Sequence, residues 1–388
     1  MKLILNFNKL KILILIFLVN IYLLLYIAKI YEFSFVNDNV RFIIMLLLSF
    51  VIAISMFKMI AVNKKINLAF AVFLSYFFYV LIVTLMREQF NPTPLMSTLF
   101  FPIVFLASYA IFKKSKNLSI IKKYQFIMLI LYGAMYLYVR LITNTNHGMV
   151  LNSIYYQVLL LPFILTLDNK YIRRIGILVI ILMALFSMKR VAFIAVILSL
   201  LIYLIFKKGI GNLKRNIINK IFSISLIMLL IGVLISFFNH LLNLNMLDRI
   251  ASLRDDGGSG RFNILLVIIR QLRFNTFPEH IIGNGFNATT LVANGFTAHN
   301  DFIEILYDYG LIGFILYINI YLILIRYAIN FNRRNYKYSA AFNASIVIFI
   351  VISLFSHLIF IPTYIGYLSL FWSFVICDYE IDKERQKK

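Results

Sequence analysis

Residues 173–208 read RRIGILVIILMALFSMKRVAFIAVILSLLIYLIFKK. About 32 residues separate the cations Arg173-Arg174 from Lys207-Lys208. One crossing of a roughly 30 Å hydrocarbon layer takes about 20 apolar residues as a helix, so the stretch is too long for a single ordinary span. It fits a short helical hairpin with Ser187-Met188-Lys189-Arg190 at its tip. The apolar runs lack the strict alternation of a barrel strand, and backbone in lipid must hydrogen-bond to itself, so both arms are predicted as helices.

The same reading extends along the chain. Of its 388 residues, 62% are hydrophobic, with mean hydropathy +0.90. A soluble core is excluded. The expected fold is all-α: a polytopic integral membrane protein of about twelve transmembrane helices in one membrane domain, residues 1–388. The predicted spans lie near 11 to 30, 40 to 62, 66 to 86, 95 to 112, 124 to 142, 152 to 167, 172 to 188, 191 to 206, 221 to 238, 311 to 329, 341 to 361 and 364 to 377. The first follows Lys2, Lys9 and Lys11 with no small-residue cleavage pattern after it, and reads as a retained anchor.

Orientation follows from the basic residues. Lys64-Lys65, Lys113 to Lys123, Lys170 to Arg174, Lys207 to Lys220, Arg333 to Lys337 and the tail Lys383 to Lys388 fall on alternate loops, which are the cytoplasmic ones. Both termini are then expected in the cytoplasm. A large loop, 239–310, sits between the ninth and tenth predicted spans and faces out; it holds no Lys, and five Arg against seven Asp or Glu. The net charge of +23 is spread over loops beside the bilayer. That is a topology signal and an attraction to anionic membrane lipid, not a nucleic-acid footprint. The single Cys377 rules out an intramolecular disulfide and a thiolate metal site.

Lys189 and Arg190 break the positive-inside pattern. They sit at the outer surface, where topology gives no reason for cations and an anionic ligand would; snorkelling from helix ends is the alternative. Arg41, Arg87 and Arg140 also map to outer span ends, where each reads as an interface anchor. All five histidines, His147, His240, His280, His299 and His357, fall on the outer side.

A loop of about 70 residues rich in Gly, Asn and Asp between two spans needs a reason, since such connections are usually short. Leu247 to Asp256 reads as polar, short helix, and the turn from Asp255 to Gly260 lets backbone amides approach a ligand. Arg261 to Phe274 reads as an amphipathic interfacial helix, too short to cross. Gly283-Asn284-Gly285 is a turn. Thr297-Ala298-His299-Asn300 then leads into Asp301-x-x-Glu304, which looks like a capping box opening a helix, with Gly310 marking the start of the tenth span.

The hairpin tip, Ser259-Gly260-Arg261, Ile282 to Gly285, His299-Asn300 and Tyr309-Gly310-Leu311-Ile312-Gly313, in that order and spacing, resemble the O-antigen polymerase and O-antigen ligase superfamily of bacterial surface polysaccharide assembly. The matched motifs cover roughly residues 187–313. Two departures stand out. Met188-Lys189 intervene where the family has Ser next to Arg, and aliphatics replace a Trp often found after Gly-Arg. The resemblance implies glycosyl transfer from a polyprenyl-diphosphate-linked oligosaccharide donor to a lipid-linked acceptor, on the outer face of the bacterial cytoplasmic membrane. A flippase and a chain-length regulator of the same pathway are the implied protein partners. It further implies His299 as general base and Arg190 and Arg261 on the diphosphate, with Lys189 and Arg140 as weaker candidates. Asn300, Gly283, Gly285 and Glu304 would support them. Guanidinium groups can neutralise a leaving diphosphate, so neither a metal nor a cofactor is expected; Asp255-Asp256 would be the competing metal site. O-antigen ligase, which transfers finished polymer to lipid A core, shares every one of these motifs. A lipid-linked oligosaccharide flippase is the reading from another class.

Overall fold

The computed structural model describes residues 7–30, 38–61, 67–87, 92–113, 118–139, 153–187, 189–207, 260–356 and 362–386. Among these residues every regular element is an α-helix: α1 (Phe7–Ile30), α2 (Asp38–Ala61), α3 (Leu68–Arg87), α4 (Pro92–Phe112), α5 (Ser119–Tyr138), α6 (Ile154–Leu165), α7 (Lys170–Phe186), α8 (Arg190–Phe206), α9 (Arg261–Leu272), α10 (Phe277–Ile282), α11 (Ala288–Val292), α12 (Asp301–Arg333), α13 (Ser339–Phe355) and α14 (Pro362–Arg385). Within them, five segments are long and apolar enough to cross a membrane: Asn8–Ala28, Asn39–Met56, Leu68–Arg87, Ser119–Tyr138 and Asp301–Arg333. Thr98–Phe112, Ile154–Leu165, Arg190–Phe206 and Ser339–Phe355 are apolar but shorter. The predicted span at 221 to 238 and the loop residues before Gly260 lie outside the described residues.

Two of the shorter helices, α6 and α4, lie inside the bundle. Every residue of α6 is buried, by α5, α7, α8, α13 and α14 packed around it. At about 1.5 Å per residue its twelve residues cover only about 18 Å. It need not meet lipid, since its neighbours do. α4 is likewise enclosed by α1, α2, α3 and α14. Aromatic rings fill the space between: Phe73 stacks on Phe105 at 3.7 Å, and the buried Trp372 satisfies its indole N–H by donating to Ser345 Oγ at 3.0 Å. Large apolar side chains such as Phe17, Phe50, Ile82, Ile130 and Leu322 point outward. A surface of that kind suits lipid and not water.

The tenth predicted span, 311 to 329, is part of a longer element. α12 begins at Asp301 and continues to Arg333 across a non-helical residue, Gly310, at φ 63 and ψ −169. That conformation is nearly exclusive to glycine. The break frees carbonyls that a straight helix would have used, and other groups take them. Asn284 N–H donates to Tyr307 O at 3.2 Å and Gly285 N–H to Asp308 O at 2.8 Å. The Tyr79 hydroxyl lies 2.8 Å from Tyr309 O and 3.1 Å from Ile282 O. Gly283 and Gly310 pack backbone to backbone: a Cβ on Gly283 would sit 2.3 Å from Asp308 O, and one on Gly310 2.5 Å from Ile281 O. The two glycine motifs of the sequence are therefore one joint.

Gly310→Ala and Gly283→Ala should each lower stability by about 3 kcal/mol or more, from forbidden backbone and direct overlap with main-chain atoms. Gly133→Ala, in α5 with nothing within 4 Å, should be neutral or slightly stabilising. Thermal unfolding of the three purified variants in detergent checks this; equal midpoints would remove the joint.

Candidate functional site

The hairpin tip is built by one hydroxyl. Ser187 is fully buried. Its Oγ donates to Ala184 O at 2.7 Å at the end of α7 and accepts Lys189 N–H at 3.1 Å. Lys189 then leaves the tip in extended backbone as the N-cap of α8, and its ammonium lies 5.7 Å from the ring centre of Tyr155. Arg190, half-buried, is the first residue of α8.

Arg261 arrives from a different direction. Gly260, at φ 76, turns the chain into α9. The helix is then fixed by its inner face, where Ile264, Ile268 and Leu272 pack against Ala288, Ala293 and Tyr307. Spacing of four residues puts these three on one stripe, as the amphipathic reading expects. The Arg261 guanidinium donates from Nη1 to Phe355 O at the end of α13, 2.5 Å away.

His299 precedes α12. The expected capping box is shifted by one residue: Asn300, not Asp301, is the N-cap, its Oδ1 accepting the N–H groups of Phe302 at 3.0 Å and Ile303 at 3.1 Å. Asn300 Nδ2 also donates to Leu354 O at 3.1 Å, tying this turn to the same end of α13 that holds Arg261. Glu304 reaches back, as a capping carboxylate does, and accepts His299 N–H at 3.2 Å. That bond holds His299 in the left-handed region, at φ 52, which costs a side chain about 1 to 2 kcal/mol. Asp301 is instead fully buried and accepts from the Tyr317 hydroxyl at 3.3 Å.

The tip of α7 and α8, the start of α9 and the start of α12 thus converge at one end of the bundle. Lys189 and Arg261 are close enough for their charges to act on His299. Partial burial first, then the Arg261 and Lys189 cations, push the imidazole from 6.5 down to about 4. The ring is neutral at neutral pH and can accept a proton. Of the two tip cations, it is Lys189 whose charge is felt at His299; Arg190 adjoins it in the chain. Arg140 lies outside the described residues, as do Asp255 and Asp256. Gly283 and Gly285 serve the joint with α12 and not the cationic cluster.

Four participants escaped the sequence reading. Tyr155, buried at the start of α6, carries the Lys189 ammonium on its ring. The last residues of α13, Leu354 and Phe355, supply carbonyls. Asp308, fully buried, accepts Thr289 N–H at 2.9 Å and the neighbouring N–H groups of Asn287 and Ala288, so that it caps α11 from a distance. Only Asp308 left a trace in the sequence: Asp301, Glu304 and Asp308 recur at one-face helical spacing. Comparison with known protein families and with characterised proteins gives no match for this chain.

Because the folded imidazole protonates near 4 and the unfolded one near 6.5, the unfolded chain binds more protons in that window. Stability should therefore fall as pH drops from about 6.5 to about 4, and be unaffected by this group above it. His299→Gln should flatten that part of the profile, measured by denaturation in detergent; an unchanged slope would mean that His299 is not held neutral.

Proposed function

We propose that the chain is a glycosyltransferase of the outer face of the bacterial cytoplasmic membrane, polymerising polyprenyl-diphosphate-linked oligosaccharide repeats of O-antigen or capsular polysaccharide. In this reading about twelve spans place both termini in the cytoplasm and the loop 239–310 outside. The observation that carries the proposal is the convergence of Lys189, Arg261 and His299 from three separate parts of the chain. That grouping supplies what transfer from a lipid diphosphate needs: fixed positive charge for the leaving group beside a neutral base for the acceptor.

The chemistry follows from the charges. The acceptor hydroxyl oxygen bonds the anomeric carbon while the bond from that carbon to the diphosphate oxygen breaks, its electron pair leaving with the diphosphate. The hydroxyl proton passes to the His299 imidazole, and the leaving charge is met by Lys189, Arg190 and Arg261. An imidazole near 4 is a weak base in the free protein. A bound diphosphate offsets the cations that depress it, so the base strengthens when the donor is in place. Base strength is thereby linked to donor occupancy.

His299→Ala should lower chain extension by about 10² to 10⁴ while donor binding persists. Arg261→Lys and Arg190→Lys keep the charge but lose the planar fork that grips two phosphate oxygens, so donor affinity should fall together with turnover. Purified protein assayed with a polyprenyl-diphosphate oligosaccharide in the presence of EDTA tests these together. Near-normal extension by His299→Ala would end the base assignment, and activity lost in EDTA and restored by a divalent ion would end the metal-free mechanism.

A further inference from the structure

α6 packs against both α8 and α13. Its first turn carries Tyr155, 1% exposed, to the place where the start of α8 meets the end of α13. Two parts of this one side chain border two different cations. The ring face carries the Lys189 ammonium, 5.7 Å from the ring centre. The hydroxyl edge is turned to the buried side chain of Ser356 and lies within the field of the Arg261 guanidinium. Phe355, the neighbour of Ser356, is the residue whose carbonyl takes Arg261 Nη1, and Leu354 takes Asn300 Nδ2. The end of α13 thus backs the tyrosine, the arginine and the turn that bears His299.

Lysine and arginine have long side chains with much rotamer freedom to lose. Holding two of them at one separation is costly if the arriving anion must do it alone. A tyrosine turns about only two side-chain bonds, and the packing around buried Tyr155 restricts both. The negative face of its ring attracts an ammonium, the more strongly where water is excluded. A stiff ring between Lys189 and Arg261 therefore does in advance part of the ordering that an anion would otherwise impose.

We infer that Tyr155 is a positioning residue that sets the separation of Lys189 and Arg261, and so fits the site to the two phosphoryl groups of a diphosphate rather than to a single phosphate. The fit to a diphosphate rests on the glycosyltransferase reading; the placing of the two cations by the ring does not.

Full-length protein in dodecyl-maltoside micelles is prepared with phenylalanine at position 155 and with phenylalanines of increasing fluorine content, which keep the shape of the ring while draining its negative face. Calorimetric affinity for inorganic pyrophosphate should fall stepwise along the fluorinated series, about fivefold in all, and the preference for pyrophosphate over inorganic phosphate should narrow with it. A flat series overturns the inference. The titration of His299, followed by NMR without any ligand, decides the placing of Lys189 independently of the proposed reaction. Lys189→Gln should raise the His299 midpoint from about 4 in protein that keeps Tyr155, because a cation that depresses it is gone. In Tyr155→Leu the midpoint should already be higher, and adding Lys189→Gln should move it less; the most fluorinated variant takes the place of Tyr155→Leu if the latter does not fold. Equal shifts on adding Lys189→Gln in both backgrounds show that the ring does not place the lysine. Unequal shifts in a protein that binds no pyrophosphate keep the positioning role and reject the diphosphate.

Discussion

A helix broken inside an apolar bundle must find new donors for the carbonyls it releases, and residues 260–310 are arranged around that demand. Tyr307, Asp308 and Tyr309 give up their carbonyls at Gly310, and the turn 283–285 with the Tyr79 hydroxyl takes them. Because two glycine backbones must touch for this to happen, the turn can dock in only one place. Asp308 extends the same joint by capping α11. α9 then packs on α11 and on Tyr307. The position of Arg261, at the start of α9, is thus inherited from a backbone contact remote from it in sequence.

The second consequence is electrostatic. Partial burial of His299 first, and then the two cations beside it, raise the free energy of its protonated form, and the group yields by staying neutral. Among their contacts, Lys189 has an aromatic face and Arg261 a main-chain carbonyl. Contacts of that type orient a cation without cancelling its charge. The network at the other end of the bundle shows the contrast: there Glu380 is shared by Tyr109 and Tyr327, and buried Lys122 is matched to Asp168. Those contacts close and hold.

Much of this was legible in the sequence, since hydropathy marks lipid-length helices and a hairpin of about 32 residues between cation pairs has little choice of shape. The turns at Gly260 and Gly283 were read from their glycines, and each indeed has positive φ, whereas Gly310, read only as the start of a span, shares that conformation. What the sequence hid is what depends on tertiary partners. Nothing local distinguishes Tyr155 or Tyr79 from the other tyrosines, because one matters for a lysine many residues away and the other for a carbonyl across the bundle. The capping box was misplaced by one residue because Asn300 and Asp301 are both good caps, and burial beside Tyr317 decided between them. The brevity of α6 was likewise invisible: its apolar run reads as a full-length span, and the helix has twelve residues encircled by five other helices.

Titration of His299 tests the anion site most directly, followed by NMR on full-length protein carrying labelled histidine, with and without a polyprenyl diphosphate. If Lys189 and Arg261 form one site with His299, the imidazole should titrate near 4 in the free protein and move back toward 6.5 when the diphosphate is added, because its charge offsets the two cations. The same midpoint in both samples would show that the diphosphate does not lie among these three residues, and the site would have to be sought elsewhere in the chain.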